Sequence, residues 1–218
     1  MSVLVAIHHI QRRIDPTLAA RWNCKAAKCG SCAAEVNGKP RLMCKTLVEE
    51  FHGEIEVKPM KTFPLIKDLV TDVTGMWNIS RKVPPFTPRK TGETVWRMFP
   101  EDIERSMEFK KCIECFICQD ICHVLREHKV ESYIGPRFMI KATWQDMHPF
   151  DSLDRSRFLH NEGGMGYCNI TKCCQDLCPE HISITDNAII PEKERAADKY
   201  YDPIAWVVER LRKKRQRV

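Results

Sequence analysis

Apolar residues at Val3, Ile7, Ile10 and Ile14 recur at the spacing of one helix face, with Ser2 placed to cap the helix and Asp15-Pro16 to end it. A stripe of this kind is core packing and carries no chemistry of its own. Leu65, Ile66, Leu69, Val70, Val73 and Trp77 form a second stripe and predict a second amphipathic helix. Between the two, Asn37-Gly38 is the strongest short hairpin signal, and the weak alternation over 54–60 predicts a strand. Pro84, Pro85 and Pro88 mark 82–91 as a linker. Beyond it, 102–110, 136–147, 152–160 and 202–214 all carry helical periodicity. The pattern therefore divides the chain into a mixed N-terminal domain over 1–82, a linker over 83–100 and a helical domain over 101–218.

Composition narrows the choice. The 218 residues are 43% hydrophobic and 29% charged, which argues against disorder. The longest apolar runs, 3–7 and 204–208, fall far short of the ~20 residues that a membrane-spanning helix needs. A net charge of +6 is gathered largely in 210–217, and no nucleic-acid reader motif accompanies it. No general base, nucleophile or phosphate loop stands out. The twelve cysteines are the anomaly. Nothing in the chain points to secretion, so in a reducing compartment they read as metal ligands.

Their spacing selects the metal. Cys24, Cys29, Cys32 and Cys44 are spaced C-x4-C-x2-C-x11-C, and the first three follow the plant-type spacing for a [2Fe–2S] cluster. The small residues Gly30 and Ser31 let the backbone approach an inorganic core, and the Asn37-Gly38 hairpin brings Cys44 back to it. Structural zinc favours two C-x2-C pairs across a longer loop, which this spacing does not supply.

Cys112, Cys115, Cys118 and Cys122 read C-x2-C-x2-C-x3-C, the bacterial run in which the fourth cysteine serves a second cluster. Overlaying that template on the segment ending at Cys178-Pro179 puts Cys168 first, Thr171 second, Cys174 third and Cys178 fourth. By exchange of the last thiolates, Cys112, Cys115, Cys118 and Cys178 hold a [4Fe–4S] cluster. Cys122, Cys168 and Cys174 are left as three ligands with a vacant corner at Thr171, which suggests a [3Fe–4S] cluster. Cys173 stands outside the template. It is either a thiol beside the cluster or a replacement fourth ligand, and the different directions of adjacent side chains favour the first.

With these residues in hand, the chain resembles the iron–sulfur subunit of succinate dehydrogenase and fumarate reductase. The resemblance rests on Arg21-Trp-Asn-Cys-Lys-Ala-Ala-Lys-Cys-Gly-Ser-Cys32, on Cys112-Ile-Glu-Cys-Phe-Ile-Cys118 and on Cys168 to Pro179. Cys122-His123 and Asn169-Ile-Thr-Lys-Cys-Cys174 look most like the actinobacterial type. The resemblance implies an α+β chain: a plant-type ferredoxin (β-grasp) domain followed by an all-α two-cluster ferredoxin-like domain. It also implies an electron wire of the respiratory chain and tricarboxylic acid cycle, peripheral on the cytoplasmic face of the cell membrane. FAD in a flavoprotein subunit takes two electrons from succinate, and the three clusters pass them singly to a quinone at a membrane-anchor subunit. Fumarate reductases run the wire backwards, and a soluble reductase subunit with similar clusters is a third alternative.

Two departures from the family stand out. Family members carry a further hairpin ahead of the position of Ser2, so the expectation is that Met1 is an internal methionine of a longer protein. The family's quinone positions hold His123, Leu125, Arg126 and Asn169 here, so its known contacts are not carried over. His123, whose ring titrates near neutrality, is the candidate quinone neighbour, with a plain hydrogen bond beside the cluster as its other role. The basic tail over 206–217 suits either a solvated helix end or anionic headgroups.

Overall fold

In the computed structural model, which describes residues 1–89, 97–204 and Trp206, a helix-backed sheet is joined to a bundle of short helices. Helix α1 (Val3–Arg13) is capped by the Ser2 hydroxyl, which accepts from the Val5 N–H at 3.4 Å. Its first-turn amides have no partner within the helix. The Val3 and Leu4 N–H groups therefore donate to the carbonyls of Thr46 and Met43, at 2.9 and 3.0 Å, and anchor the segment that carries Cys44.

Strands β1 (Ala33–Val36), β2 (Lys39–Leu42) and β3 (Val57–Lys58) form an antiparallel sheet in the order β2-β1-β3. Asn37 and Gly38 make the predicted two-residue turn, both with positive φ, and set the register Ala33↔Leu42 and Val36↔Lys39. All four residues of the central strand β1 are buried. The strand expected over 54–60 is confined to Val57–Lys58.

The helix expected over 65–77 does not form as such. Strands β4 (Leu65–Lys67) and β5 (Val70–Thr71) pair as a bulged hairpin, and helix α2 runs only over Thr74–Lys82. Turn chemistry overrides the helical spacing here. Asp68 takes a positive φ of 48° and accepts the Ala19 N–H at 2.7 Å. Asp72 accepts the Thr74 N–H at 2.8 Å and so delays the helix start. Leu65 and Ile66 are exposed, so their stripe is not a core face.

The C-terminal half carries α3 (Pro100–Met107), α4 (Ile117–Asp120), α5 (His123–Arg126), α6 (Pro136–Asp146), α7 (Ser156–Asn161) and α8 (Cys173–Asp176). A π-helix (Ile184–Ile189) then leads into α9 (Ile190–Tyr201). The helix expected over 152–160 starts only at Ser156, because Asp151 and Asp154 first accept backbone N–H groups in turns. Of the helix expected over 202–214, only its first turn is described, with the Trp206 N–H on the Asp202 carbonyl at 3.1 Å. The remainder, the basic tail and residues 90–96 of the linker lie outside the described residues.

Two buried polar groups join the halves. Arg155 is fully buried and donates to Asp146 (2.9 Å), Asp151 (2.8 Å) and the carbonyls of Pro84 (2.9 Å) and Pro85 (2.5 Å), stitching the linker to the helices. Arg126 on α5 bonds Glu35 of β1 and lies 3.5 Å from Asp120 at the end of α4. Asp120 in turn accepts the Thr62 N–H at 2.9 Å. Each of these three charged residues lies within four positions of a cysteine, so the clamp ties the cysteine-bearing segments of both halves together.

Breaking a buried pair by removing one partner costs about 3–5 kcal/mol, whereas an exposed pair contributes at most about 1 kcal/mol. Arg126→Met is therefore expected to lower stability far more than Lys61→Met, which breaks the exposed Lys61–Glu127 pair. Urea denaturation of the two variants side by side checks this. Gly164 sits at φ +63°, and a Cβ there would lie 2.3 Å from the Ser132 carbonyl, while one at Gly166 would touch nothing. Gly164→Ala is expected to cost at least about 1–2 kcal/mol from its backbone alone. Gly166→Ala stays within about 0.5 kcal/mol, as open surface sites do; thermal melts of both compare them.

Candidate cluster-binding sites

The loop from Cys24 to Cys32 is built to turn amides inward. Lys25 and Ala27 take left-handed φ of 57° and 55° although neither is glycine, and Gly30 sits at 69°. Alternation of this kind makes a concave nest of N–H groups, a recurrent cradle for iron–sulfur cores. The Ala26 and Lys28 N–H groups point at the Cys24 sulfur, and the Ala27 N–H at the Cys44 sulfur, each at 3.3 Å. Burial raises the Cys29 pKa, but hydrogen bonds from the Cys24 backbone and from Ser31 outweigh it and bring it down to about 6. Cys32, deeper in the fold, is raised to about 12 by burial and by Cys44 and Cys29 beside it.

The two later cysteine runs share one backbone. Glu114 and Phe116 have φ of 55° and 60°, and Ile170 and Lys172 both have 62°. Counted from Cys112 and from Cys168 these are the same two positions, and a four-residue helix follows each at the same point. For β-branched Ile170 such a φ is a genuine outlier, strain of the sort that concentrates at functional sites. In backbone terms Thr171 occupies the place of Cys115, Cys174 that of Cys118, and Cys173 that of Ile117.

The thiols of Cys112, Cys115, Cys118 and Cys178 line one cavity, with Arg137 and Ile140 on its wall. Burial, and then its neighbours Cys115, Cys112, Cys174 and Cys178, raise the Cys118 thiol well above its ordinary pKa. Burial first pushes Cys115 up to about 12, with Cys112 and Cys178 adding to it. Beside this group lies another. Cys122 and Cys174 are raised to about 11 and about 12 by burial, then by each other's neighbours Cys168 and Cys173. The Cys174 sulfur is 3.6 Å from Thr185 Oγ1 in the π-helix. Thr171 Oγ1 stands 3.4 Å from His123 Nδ1 and 3.4 Å from the Cys173 sulfur, which itself donates to the Ile121 carbonyl at 3.6 Å.

The donor sets fit inorganic clusters. All twelve cysteines are free thiols. Among the described residues, no three His, Cys, Asp or Glu side chains close around a single metal ion. The cysteine spacing follows the cluster templates and not the two C-x2-C pairs that structural zinc favours. A buried hydroxyl points the same way: that of Tyr133, a residue only 2% exposed, makes no hydrogen bond of good geometry among the described residues and faces the Cys168 thiol. It belongs to the same core cluster as Cys122 and Cys174, against which Cys168 packs. Burial, followed by those thiols, raises it well above the ordinary tyrosine pKa.

All eleven cysteines singled out by spacing thus fall into these three groups, and Cys173 lies beside the third. Sequence reasoning missed Tyr133, Thr185 and a contact between loops at Gly30. A Cβ on Gly30 would lie 2.8 Å from the Cys115 Cα and from the Ile113 carbonyl, so the first cysteine loop abuts the second backbone to backbone. The left-handed φ at Gly30 was the only local signal for it.

Residues 1–78 match the family model of a 2Fe-2S iron-sulfur cluster binding domain, and residues 108–182 that of a 4Fe-4S dicluster domain. The fumarate reductase iron-sulfur subunit of Haemophilus influenzae is 27% identical over 91% of this chain and 83% of its own. The succinate dehydrogenase iron-sulfur subunit of Bacillus subtilis is 29% identical over 85% and 78%. A chain of the Mycobacterium smegmatis Sdh1 complex in its apo form superposes with a TM-score of 0.90 at 54% identity, covering 93% of this chain and 87% of that one. With a ferredoxin sheet, a helical dicluster half and relatives of this kind along nearly its whole length, the chain belongs to the iron–sulfur subunits of the succinate dehydrogenase/fumarate reductase family and serves electron transfer.

Proposed function

We propose that the chain works as the electron-transfer subunit of a succinate:quinone oxidoreductase, between the FAD of a flavoprotein subunit and a quinone at a membrane anchor. Cys24, Cys29, Cys32 and Cys44 hold a [2Fe–2S] cluster in domain 1–82. Beyond the linker 83–100, domain 101–218 holds a [4Fe–4S] cluster on Cys112, Cys115, Cys118 and Cys178, and a [3Fe–4S] cluster on Cys122, Cys168 and Cys174. The observation that carries this reading is the doubled backbone of the two later runs, with Thr171 at the place of Cys115. A hydroxyl there gives iron no thiolate corner.

When bound, these clusters supply one-electron carriage that matches a flavin able to split a two-electron transfer. The chain's own part is to hold and tune. The nest of amides in the first loop and the buried second and third groups give each site a different polarity, which is how a protein spaces potentials. Cys24 is exposed, which suits a first site that receives electrons from another subunit. The pair of half-buried His123 and exposed Thr171, beside the third site, suits a quinone neighbour able to donate a proton. The succinate-oxidising direction is favoured by the 54% identity to a chain of the Sdh1 complex, against 27% to a fumarate reductase subunit. Among the described residues no helix is long and apolar enough to cross a membrane; the membrane-anchor partner would hold the subunit on the cytoplasmic face of the cell membrane.

Low-temperature EPR of the purified complex, oxidised and then reduced with succinate, tests the reading. Three centres are expected, one of them paramagnetic when oxidised; a colourless protein with zinc in place of iron would end it. Thr171→Cys is expected to abolish that oxidised-state signal by completing a four-iron site, and an unchanged signal contradicts the alignment. Cys29→Ala is expected to remove the first cluster and loosen the sheet domain, because ligation stabilises its loop. Limited proteolysis at wild-type resistance would refute that coupling.

A further inference from the structure

Tyr133 is a buried polar group that packing alone does not explain. It is 2% exposed, its hydroxyl makes no hydrogen bond of good geometry among the described residues, and the Cys168 thiol is the group it faces, with Cys122 and Cys174 nearby. Leaving a buried hydroxyl unpaired costs about 1–3 kcal/mol, so folded proteins rarely keep one without reason. The backbone holds it there firmly. The Tyr133 N–H donates to the Val130 carbonyl at 3.2 Å, and the next residue's N–H donates to Gly163 at 3.1 Å. Gly164 packs so closely that a Cβ on it would fall 2.9 Å from the Tyr133 Cα. The turn that leads to Cys168 therefore fixes the tyrosine against the third cysteine group.

We infer that the Tyr133 hydroxyl donates a hydrogen bond to a sulfur of the cluster held by Cys122, Cys168 and Cys174, and that it sets the potential of that last centre. The inference rests on the ligand reading given above. A bound cluster would present sulfur acceptors to this buried donor, the Cys168 thiolate that it already faces among them. No bond is made or broken, and the proton stays on oxygen. An added electron makes those sulfurs more negative and strengthens the hydrogen bond, so the reduced cluster is stabilised more than the oxidised one. A donor here therefore raises the potential and draws electrons to the end of the wire. Hydrogen bonds to cluster sulfurs are among the protein's main levers on potential.

Tyr133→Phe deletes the oxygen and keeps the ring. In the purified complex, an EPR-monitored redox titration of the oxidised-state signal is expected to shift to lower potential. The shift should reach about tenfold in the reduced-to-oxidised ratio, about 59 mV for one electron. Pulsed EPR after exchange into deuterated water should lose one deuteron coupling near that cluster. A merely structural tyrosine would move neither readout. An unchanged potential together with a retained deuteron coupling overturns the inference. Failure of the ligand reading shows itself differently, as an oxidised-state signal already absent from the wild-type complex.

Discussion

The molecule is organised around thiol groups crowded together at low exposure. Burial disfavours the charged forms of Cys112, Cys115, Cys118, Cys122 and Cys174, and close thiolates repel one another. Such crowding is tolerable only because metal replaces the protons. The chain accepts strain to reach it. Six of the ten non-glycine residues with positive φ among the described residues, Lys25, Ala27, Glu114, Phe116, Ile170 and Lys172, fall inside the cysteine loops. Each costs roughly 1–2 kcal/mol as a left-handed residue, and in the first loop the result is three amides, of Ala26, Ala27 and Lys28, aimed at the sulfurs of Cys24 and Cys44.

Around these loops the fold is mostly a frame. Helix α1 ties down the segment of Cys44 through its first-turn amides, and Arg126 draws β1 toward the end of α4. The contact of Gly30 with Cys115 closes the remaining gap between the sheet and the helices. A relay needs its centres at fixed separations, and a frame of short elements joined by buried ion pairs supplies that rigidity. Arg155 does the same for the linker, using its planar fork to bind two carboxylates and three carbonyls at once.

Much of this was legible in the chain. Ser2 and Asn37-Gly38 act through local chemistry and stand where the sequence predicts. Cysteine spacing sorted eleven thiols into three groups because an inorganic core fixes the separations of its ligands. The segment over 65–77 went otherwise, since its apolar residues fit helix and strand periods alike and Asp68 and Asp72 decided in favour of a turn. Helices α4, α5 and α8 have four residues each, too few for any periodicity to appear. Helix α9 buries Glu192 beside Ala196, and a charged residue on the inner face hides its stripe. Tyr133 was invisible because nothing local marks a tyrosine that folding carries to cysteines more than thirty positions away.

Positions of iron decide the central claim most directly. An anomalous-scattering map of the loaded complex, recorded at the iron edge, is expected to put the Cys178 sulfur on the same core as Cys112, Cys115 and Cys118. Cys122, Cys168 and Cys174 should share a three-iron core with no bond to Thr171 or Cys173. A map that bonds Cys178 to the core of Cys168, or Cys173 to a fourth iron, would contradict the account.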